Sequence, residues 1–318
     1  MNKTLKKLIK IGVVIGAVAG TMYVINKYIE KATNLLDKLK EKQDCFYKWR
    51  LGKIYYEKVG EGSPVLLLHD YTPYASSYEW ENIVNSLAQD HTVYVMDLLG
   101  CGRSDRPGIT YTNFLYVQMI TDFINDVIGE KTDIITSGYS SSFAIMSTNY
   151  TSEYINKLVL INPADLEVAC KEPTIFSKAY KKVLELPILG TFLYNMFTLR
   201  CNVDLILTEH YFYNPFHVQE DFVDTYFEAA HKKHGKGKYV LASIVGNYME
   251  AMVPHALKSC DNQILIIGGK HQDKIEETID DYRVCINDIE SVIISKTKKL
   301  PHYEEAEITF EEIKTFLQ

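Results

Sequence analysis

A doubly wound, mostly parallel α/β sheet is predicted by three features of this sequence. Short apolar runs at Val65–Leu68, Thr92–Met96, Asp133–Thr136, Lys157–Ile161 and Ile264–Ile267 have the pattern of strands buried on both faces. Segments of helical spacing separate them, and strand–helix alternation is the mark of a parallel sheet covered on both sides. One segment, 166–236, breaks the rhythm: it is helical and aromatic-rich, and reads as an insertion capping the sheet. The 318 residues suit one such domain of roughly 250 residues together with this insertion and an N-terminal attachment.

The attachment comes first in the chain. A basic, acid-free start (Lys3, Lys6, Lys7, Lys10) precedes a charge-free run from Ile11 to Ile25. As a helix this run spans ~22 Å, and adding Leu8 and Ile9, with Lys10 snorkelling to the interface, extends it to ~27 Å, close to a ~30 Å hydrocarbon core. Ala17-Val18-Ala19 has the form of a signal-peptide cleavage site. The apolar run continues past it through Met22, Tyr23, Val24 and Ile25, which favours an uncleaved single-pass anchor. Lysines flank both ends (Lys27, Lys31, Lys38, Lys40 and Lys42 follow), so the positive-inside comparison leaves the sidedness open. Residues 27–42 read as a polar helical stalk, and 1–46 as anchor and stalk together.

The body divides into 47–165, the insertion 166–236, and 237–318. A hairpin-like stretch, Trp49–Tyr56, leads through a turn at Gly60–Ser63 to the first buried strand. Helical spacing follows at Tyr78–Ala88, 113–128 and Phe143–Tyr150, and a last strand is expected at Val292–Ser295. The C-terminal Ile308–Leu317 is amphipathic, with Phe310, Ile313, Phe316 and Leu317 on one face for the sheet. A net charge of −7 gives nucleic-acid binding no support. Six scattered cysteines without a CxxC pair exclude a zinc ribbon and lean toward a reducing compartment.

Chemistry is suggested by Ser137-Gly-Tyr-Ser-Ser-Ser142, which joins a strand to a helix. A G-x-S at such a turn holds a serine hydroxyl above the sheet, where the NH of the next residue can face a developing oxyanion. The second glycine of G-x-S-x-G is replaced by Ser142, and a serine-rich helix cap is the plain alternative. VLLLHDYTPYASSYEW (65–80), VYVMDLLGCGRSDRP (93–107), SGYSSSFA (137–144), KLVLINP (157–163) and ILIIGG (264–269) occur in order. Together they resemble the lid-bearing group of the α/β-hydrolase fold family, over about residues 47–318.

The resemblance implies Ser140 as nucleophile, an oxyanion hole from the backbone NH groups of Tyr71 and Ser141, and neither metal nor organic cofactor. The family's His-Gly step reads His69-Asp70 here, which sets a carboxylate beside the expected oxyanion. For acid and base, Asp273 and His302 are separated by the family's usual interval. An ungapped reading differs: aligning Pro301 and Glu304 on the pattern H-x-P-x-x-E puts Lys299 at the histidine, and counting from Gly269 puts Gln272 at the acid. Asp165, after the strand ending at Ile161, is a further candidate acid.

Two functions remain open from sequence. One is a membrane-anchored serine hydrolase that cleaves an ester, amide or thioester of a small or lipid-like acyl substrate through a Ser140 acyl-enzyme, with 166–236 as its lid. The other is a non-catalytic binding or scaffold protein of the same fold, motivated by Asp70, Ser142 and Lys299 at three motif positions. His231-Lys-Lys-His234 has metal-pair spacing but no companion ligand, and reads as a solvated basic loop; His271 reads as a surface residue. Tyr211-Phe-Tyr213 and Phe216 either line an acyl pocket or form the insertion's own core.

Overall fold

The computed structural model describes residues 3–41, 45–286 and 288–318. Helix α1 (Lys3–Thr33) precedes a hairpin of β1 (Phe46–Trp49) and β2 (Gly52–Val59), then β3 (Ser63–Leu68), α2 (Glu81–Leu87), β4 (His91–Met96), α3 (Asn113–Phe123), β5 (Thr132–Ser137), α4 (Ser140–Thr151) and β6 (Ile155–Ile161). Seven helices follow before the next strand: α5 (Leu166–Ala169), α6 (Ile175–Glu185), α7 (Leu189–Phe197), α8 (Arg200–Ile206), α9 (Glu220–Gly235), α10 (Lys238–Val245) and α11 (Val253–Lys258). The chain closes with β7 (Ile264–Gly269), α12 (Ile275–Cys285), β8 (Ile289–Ile294), α13 (Pro301–Glu304) and α14 (Ala306–Leu317).

The eight strands form one sheet in the order β1-β2-β4-β3-β5-β6-β7-β8. Only the β1–β2 and β2–β4 pairings are antiparallel. The parallel strands are apolar on both faces because each face is covered. Leu66 and Leu68 point into a core shared with α3 and α4, whereas Val65 and Leu67 point into one shared with α2 and α14. Phe316 and Ile313 occupy the second core, as the C-terminal periodicity predicts. The last strand begins three residues earlier than the apolar run suggests, because Ile289 and Glu290 already pair with β7.

The Asp97–Ser104 segment is structural. Asp97 Oδ2 accepts from the Arg103 backbone NH and from its Nε, both at 2.8 Å, and Oδ1 accepts from the Ser77 NH at 2.7 Å. Ser104 Oγ accepts from the Tyr55 NH at 2.8 Å, and the Arg103 guanidinium lies 3.8 Å from the Tyr55 ring centre. Burial would raise the Asp97 carboxyl, but Arg103 outweighs it and holds the group well below its usual range. Asp97→Ala leaves the Arg103 charge buried with Glu57, 3.1 Å away, still beside it, and is expected to cost ~3 kcal/mol, read from denaturant midpoints.

Two expectations change here. The His231 stretch is the last turn of α9 rather than a loop: His231 is buried, its Nδ1 2.8 Å from the Phe227 carbonyl and its Nε2 3.2 Å from Thr198 Oγ1, while the His234 side chain lies outside the described residues. The stalk expected as a helix over 27–42 is helical only to Thr33 and packs on the body, and residue 42 lies outside the described residues. Ile29 and Thr33 are buried, and the Leu39 NH reaches Glu228 of α9. Tyr211 and Phe212 belong to the insertion's own core with Phe222 and Tyr226, whereas Phe216 is exposed.

Candidate functional site

Strand register brings the site loops together. Leu68 pairs with Thr136, Thr136 with Leu160, and Ile161 with Ile267, so the segments starting at His69, Gly138, Asn162 and Lys270 leave the sheet side by side. This is the carboxyl edge of a parallel sheet, where such folds place ligands.

The sharp strand-to-helix turn consists of Gly138 and Tyr139 alone. Gly138 has φ +58°, and α4 begins at Ser140. A Cβ on Gly138 would lie 2.2 Å from Asp70 Oδ1, so a side chain at the crest of the turn would meet that carboxylate. Two backbone NH groups converge on the same oxygen, Tyr71 N and Tyr139 N, each at 2.8 Å. One belongs to the residue after the turn's crest and the other to the loop after β3, the two donors that build an oxyanion hole in this architecture. Here the acceptor is a side chain of the protein itself.

Lys299 completes the arrangement. Its Nζ lies 2.7 Å from Asp70 Oδ2 and 4.6 Å from the Tyr211 ring centre. Asn162 fixes the lysine's backbone: its Nδ2 donates to the carbonyls of Lys298 (2.8 Å) and Lys299 (2.9 Å), while its Oδ1 accepts from the Gly269 NH. Glu304 accepts from the Lys298 NH at 2.8 Å. Burial pushes the Asp70 carboxyl up, yet the Lys299 charge and the two NH donors outweigh it and hold the group below its ordinary value. Burial pulls the Lys299 ammonium down, but the attraction of Asp70 raises it above its ordinary value overall. Both groups are therefore charged at neutral pH. Glu79 accepts from the Asp70 NH at 3.0 Å; burial, with Asp70 adding to it, pushes its carboxyl well above the ordinary range.

Residues 65–309 match the family model described as the alpha/beta hydrolase family. The chain belongs to that family. A 2-hydroxy-6-oxo-6-(2'-aminophenyl)hexa-2,4-dienoic acid hydrolase of Metapseudomonas resinovorans is 30% identical over 146 residues, 44% of this chain and 50% of the relative. A soluble epoxide hydrolase of Corynebacterium sp. (strain C12) is 24% identical over 110 residues, covering 35% and 38%. The chain thus spans about half, or less, of the length of these curated relatives. Among solved structures, a serine hydrolase involved in carbazole degradation superposes with a TM-score of 0.71 at 20% identity, over 86% of this chain and 97% of the other. A membrane phospholipase A gives 0.69 at 16% identity, over 99% and 97%.

Against the geometry of an alpha/beta hydrolase site, the expected triad is not assembled. Ser140 sits inside the first turn of α4, two residues beyond the turn's crest, and its Oγ donates to the His69 carbonyl rather than to an imidazole. His302 is fully buried and stacked on Trp80 at 4.3 Å, with neither ring nitrogen hydrogen-bonded. Burial lowers its pKa to about 3, so it is a neutral core residue. Asp273 is exposed on the loop after β7, and Asp165 caps α5 through the Glu167 NH at 2.7 Å. The Ser141 NH faces the Gly138 carbonyl at 3.3 Å, so the second convergent donor is Tyr139 and not Ser141. The Tyr71 NH is the first of the two convergent donors, bound to Asp70 Oδ1.

Gly138, Tyr139 and Asn162 escaped the sequence reading. For Gly138 the deciding feature is the gap between β5, which ends at Ser137, and α4, which begins at Ser140: the crest falls on Gly138, two positions before Ser140. Two cavities flank the turn, and the first of them is lined by the ion pair. One, of about 320 Å³, is lined by polar groups that include Asp165, Gln272, Asp273 and Lys299. The other, of about 230 Å³, lies against Tyr71 and Tyr139 and is walled by Val168 of the insertion and by Ile244 and Met249 of the segment that follows it.

Proposed function

We propose that this chain is a non-hydrolytic member of the alpha/beta hydrolase family, held at a membrane by its N-terminal helix and acting as a binding or scaffold protein. One observation carries the reading: Asp70 Oδ1 accepts both oxyanion-hole NH groups at 2.8 Å, and Lys299 neutralises the same carboxylate at 2.7 Å. An acyl oxygen entering that position would have to displace a paired, desolvated carboxylate. No hydroxyl projects from the crest of the turn, because Gly138 occupies it. Acyl transfer through Ser140 is disfavoured for a second reason: a serine needs a base near working pH, and its Oγ is committed to a carbonyl.

What the fold retains is a place to bind. The cavity beside Tyr71 and Tyr139 is largely apolar, which suits a small or lipid-like acyl group, with the insertion 166–236 as its lid. Anchoring is supported by the segment Lys10–Thr33, which contains an 18-residue stretch of mean hydropathy 1.3 and is long and apolar enough to cross a bilayer. Wild-type protein incubated with p-nitrophenyl dodecanoate is expected to show a saturable rise in unfolding temperature, without release of p-nitrophenol above the buffer rate. Turnover that saturates with ester and disappears in Ser140→Ala would sink the proposal.

A further inference from the structure

Helix α6 is packed inside out. Its apolar residues recur at helical spacing on one face, yet that face is turned to solvent: Phe176 is 77% exposed and Tyr180 63%, with Val183 and Leu186 continuing the stripe. The opposite, polar face is the buried one. Ser177 and Lys181 are 7% and 8% exposed, and Ser177 Oγ donates to the Gly246 carbonyl at 3.0 Å. Lys181 pairs with Glu185 at 2.5 Å. A soluble helix normally buries the other side. The stripe continues on α7, where Leu189, Leu193 and Phe197 face outward while Tyr194 and Asn195 face inward.

This surface meets the N-terminal helix. Asn26 follows directly on the charge-free run Ile11–Ile25, and its side chain joins the two helices. Its Nδ2 donates to the Ile188 carbonyl at 3.2 Å, and its Oδ1 accepts from Asn195 Nδ2 at 2.9 Å. The apolar end of α1 therefore leaves the body at the α6–α7 junction, with Val13, Val14, Ile15, Val18 and Val24 exposed beyond it. Exposed Lys178 and Lys182 border one edge of the α6 stripe, as cations border the apolar face of helices lying in a headgroup layer.

We infer that the outward faces of α6 and α7 are a lipid-bilayer docking surface, set at the headgroup depth where α1 enters the membrane. The α6–α7 part of the insertion then faces the bilayer. A large apolar patch beside a membrane span is covered by acyl chains at no further cost in orientation, because α1 already fixes the body against the surface. The inference rests on the anchoring reading above, and its test separates the two.

The full-length chain is reconstituted in phosphatidylcholine–phosphatidylglycerol vesicles, with or without brominated acyl chains, and tryptophan quenching is read at introduced sites. Native Trp49 and Trp80 are buried in the body and supply a constant background. Tyr23→Trp reports on the anchor, Phe176→Trp and Leu193→Trp on the docking face, and Val284→Trp, exposed on α12, on the far body. Emission from the added tryptophan is expected to fall roughly twofold at 23, 176 and 193, and not at 284, as shallow immersion of an amphipathic face requires. Quenching at 23 alone overturns the docking surface and leaves the anchor standing. Absence of quenching at 23 overturns the anchor and the docking surface with it. A blue-shifted but unquenched tryptophan at 176 means that a second copy of the chain covers the face, and also overturns the proposal.

Discussion

Lys299→Met is expected to destabilise the protein by about 3 kcal/mol at pH 7, the low end for breaking a buried ion pair, because Asp70 keeps its two NH donors and the lysine side chain is 25% exposed. Asp70→Ala combined with Lys299→Met should recover much of that loss, since no charge is then left uncompensated. The pH dependence has a definite sign. In the wild type the Asp70 carboxyl is held below its unfolded value, so it contributes stability above pH ~4 that is lost as pH falls through the folded value. Without the lysine, burial is left to push the carboxyl up, and the variant loses stability as pH rises instead. The gap between wild type and Lys299→Met should therefore widen from pH 3 to pH 7. Denaturant midpoints across that range check it; a gap independent of pH would show that Lys299 contributes packing and not charge.

Gly138→Ser, which places a hydroxyl where an alpha/beta hydrolase would carry its nucleophile, is expected to cost about 2–4 kcal/mol, from overpacking together with a left-handed backbone. The cause is specific: the new Cβ would sit 2.2 Å from Asp70 Oδ1 at φ +58°. Asp70→Gly removes the obstacle, so in that background the same substitution should cost ~2 kcal/mol less. This coupling is read from a double-mutant cycle of unfolding free energies. Strict additivity would mean that Asp70 does not occupy the nucleophile's space.

The strands were legible because parallel strands buried on both faces leave continuous apolar runs, and Val65–Leu68 and Ile264–Ile267 sit where those runs placed them. The site was legible in part. Lys299 and Asp70 stood out as departures from the family pattern, but nothing in one dimension says that two departures touch. A charge at each position reads as two defects until the sheet register brings them within 2.7 Å. Ser140 was misplaced for a local reason: Ser137-Gly-Tyr-Ser-Ser-Ser142 offers small residues in several registers, and only the lengths of β5 and α4 decide which stands at the turn. His302 shows the opposite failure. Its spacing from Asp273 fits a catalytic pair, yet α13 turns it onto Trp80. The outward apolar stripe of α6 was invisible too, since a sequence gives the amphipathic face but not the side on which its neighbours lie.

On the proposed reading, the loss of hydrolysis is a reciprocal change. A lone carboxylate in an oxyanion hole would be repelled by any developing anion, and would itself be costly to bury. Lys299 offsets that cost, and its charged ammonium cannot act as a base. Each residue makes the other tolerable, as the 2.7 Å Asp70–Lys299 pair shows.

The most direct measurement is intact-mass analysis of the purified full-length chain after exposure to a fluorophosphonate, beside Ser140→Ala. With the oxyanion hole filled by Asp70 and no activated hydroxyl at the turn, the wild type should show no adduct. A stoichiometric adduct on Ser140, absent from Ser140→Ala, would contradict the account.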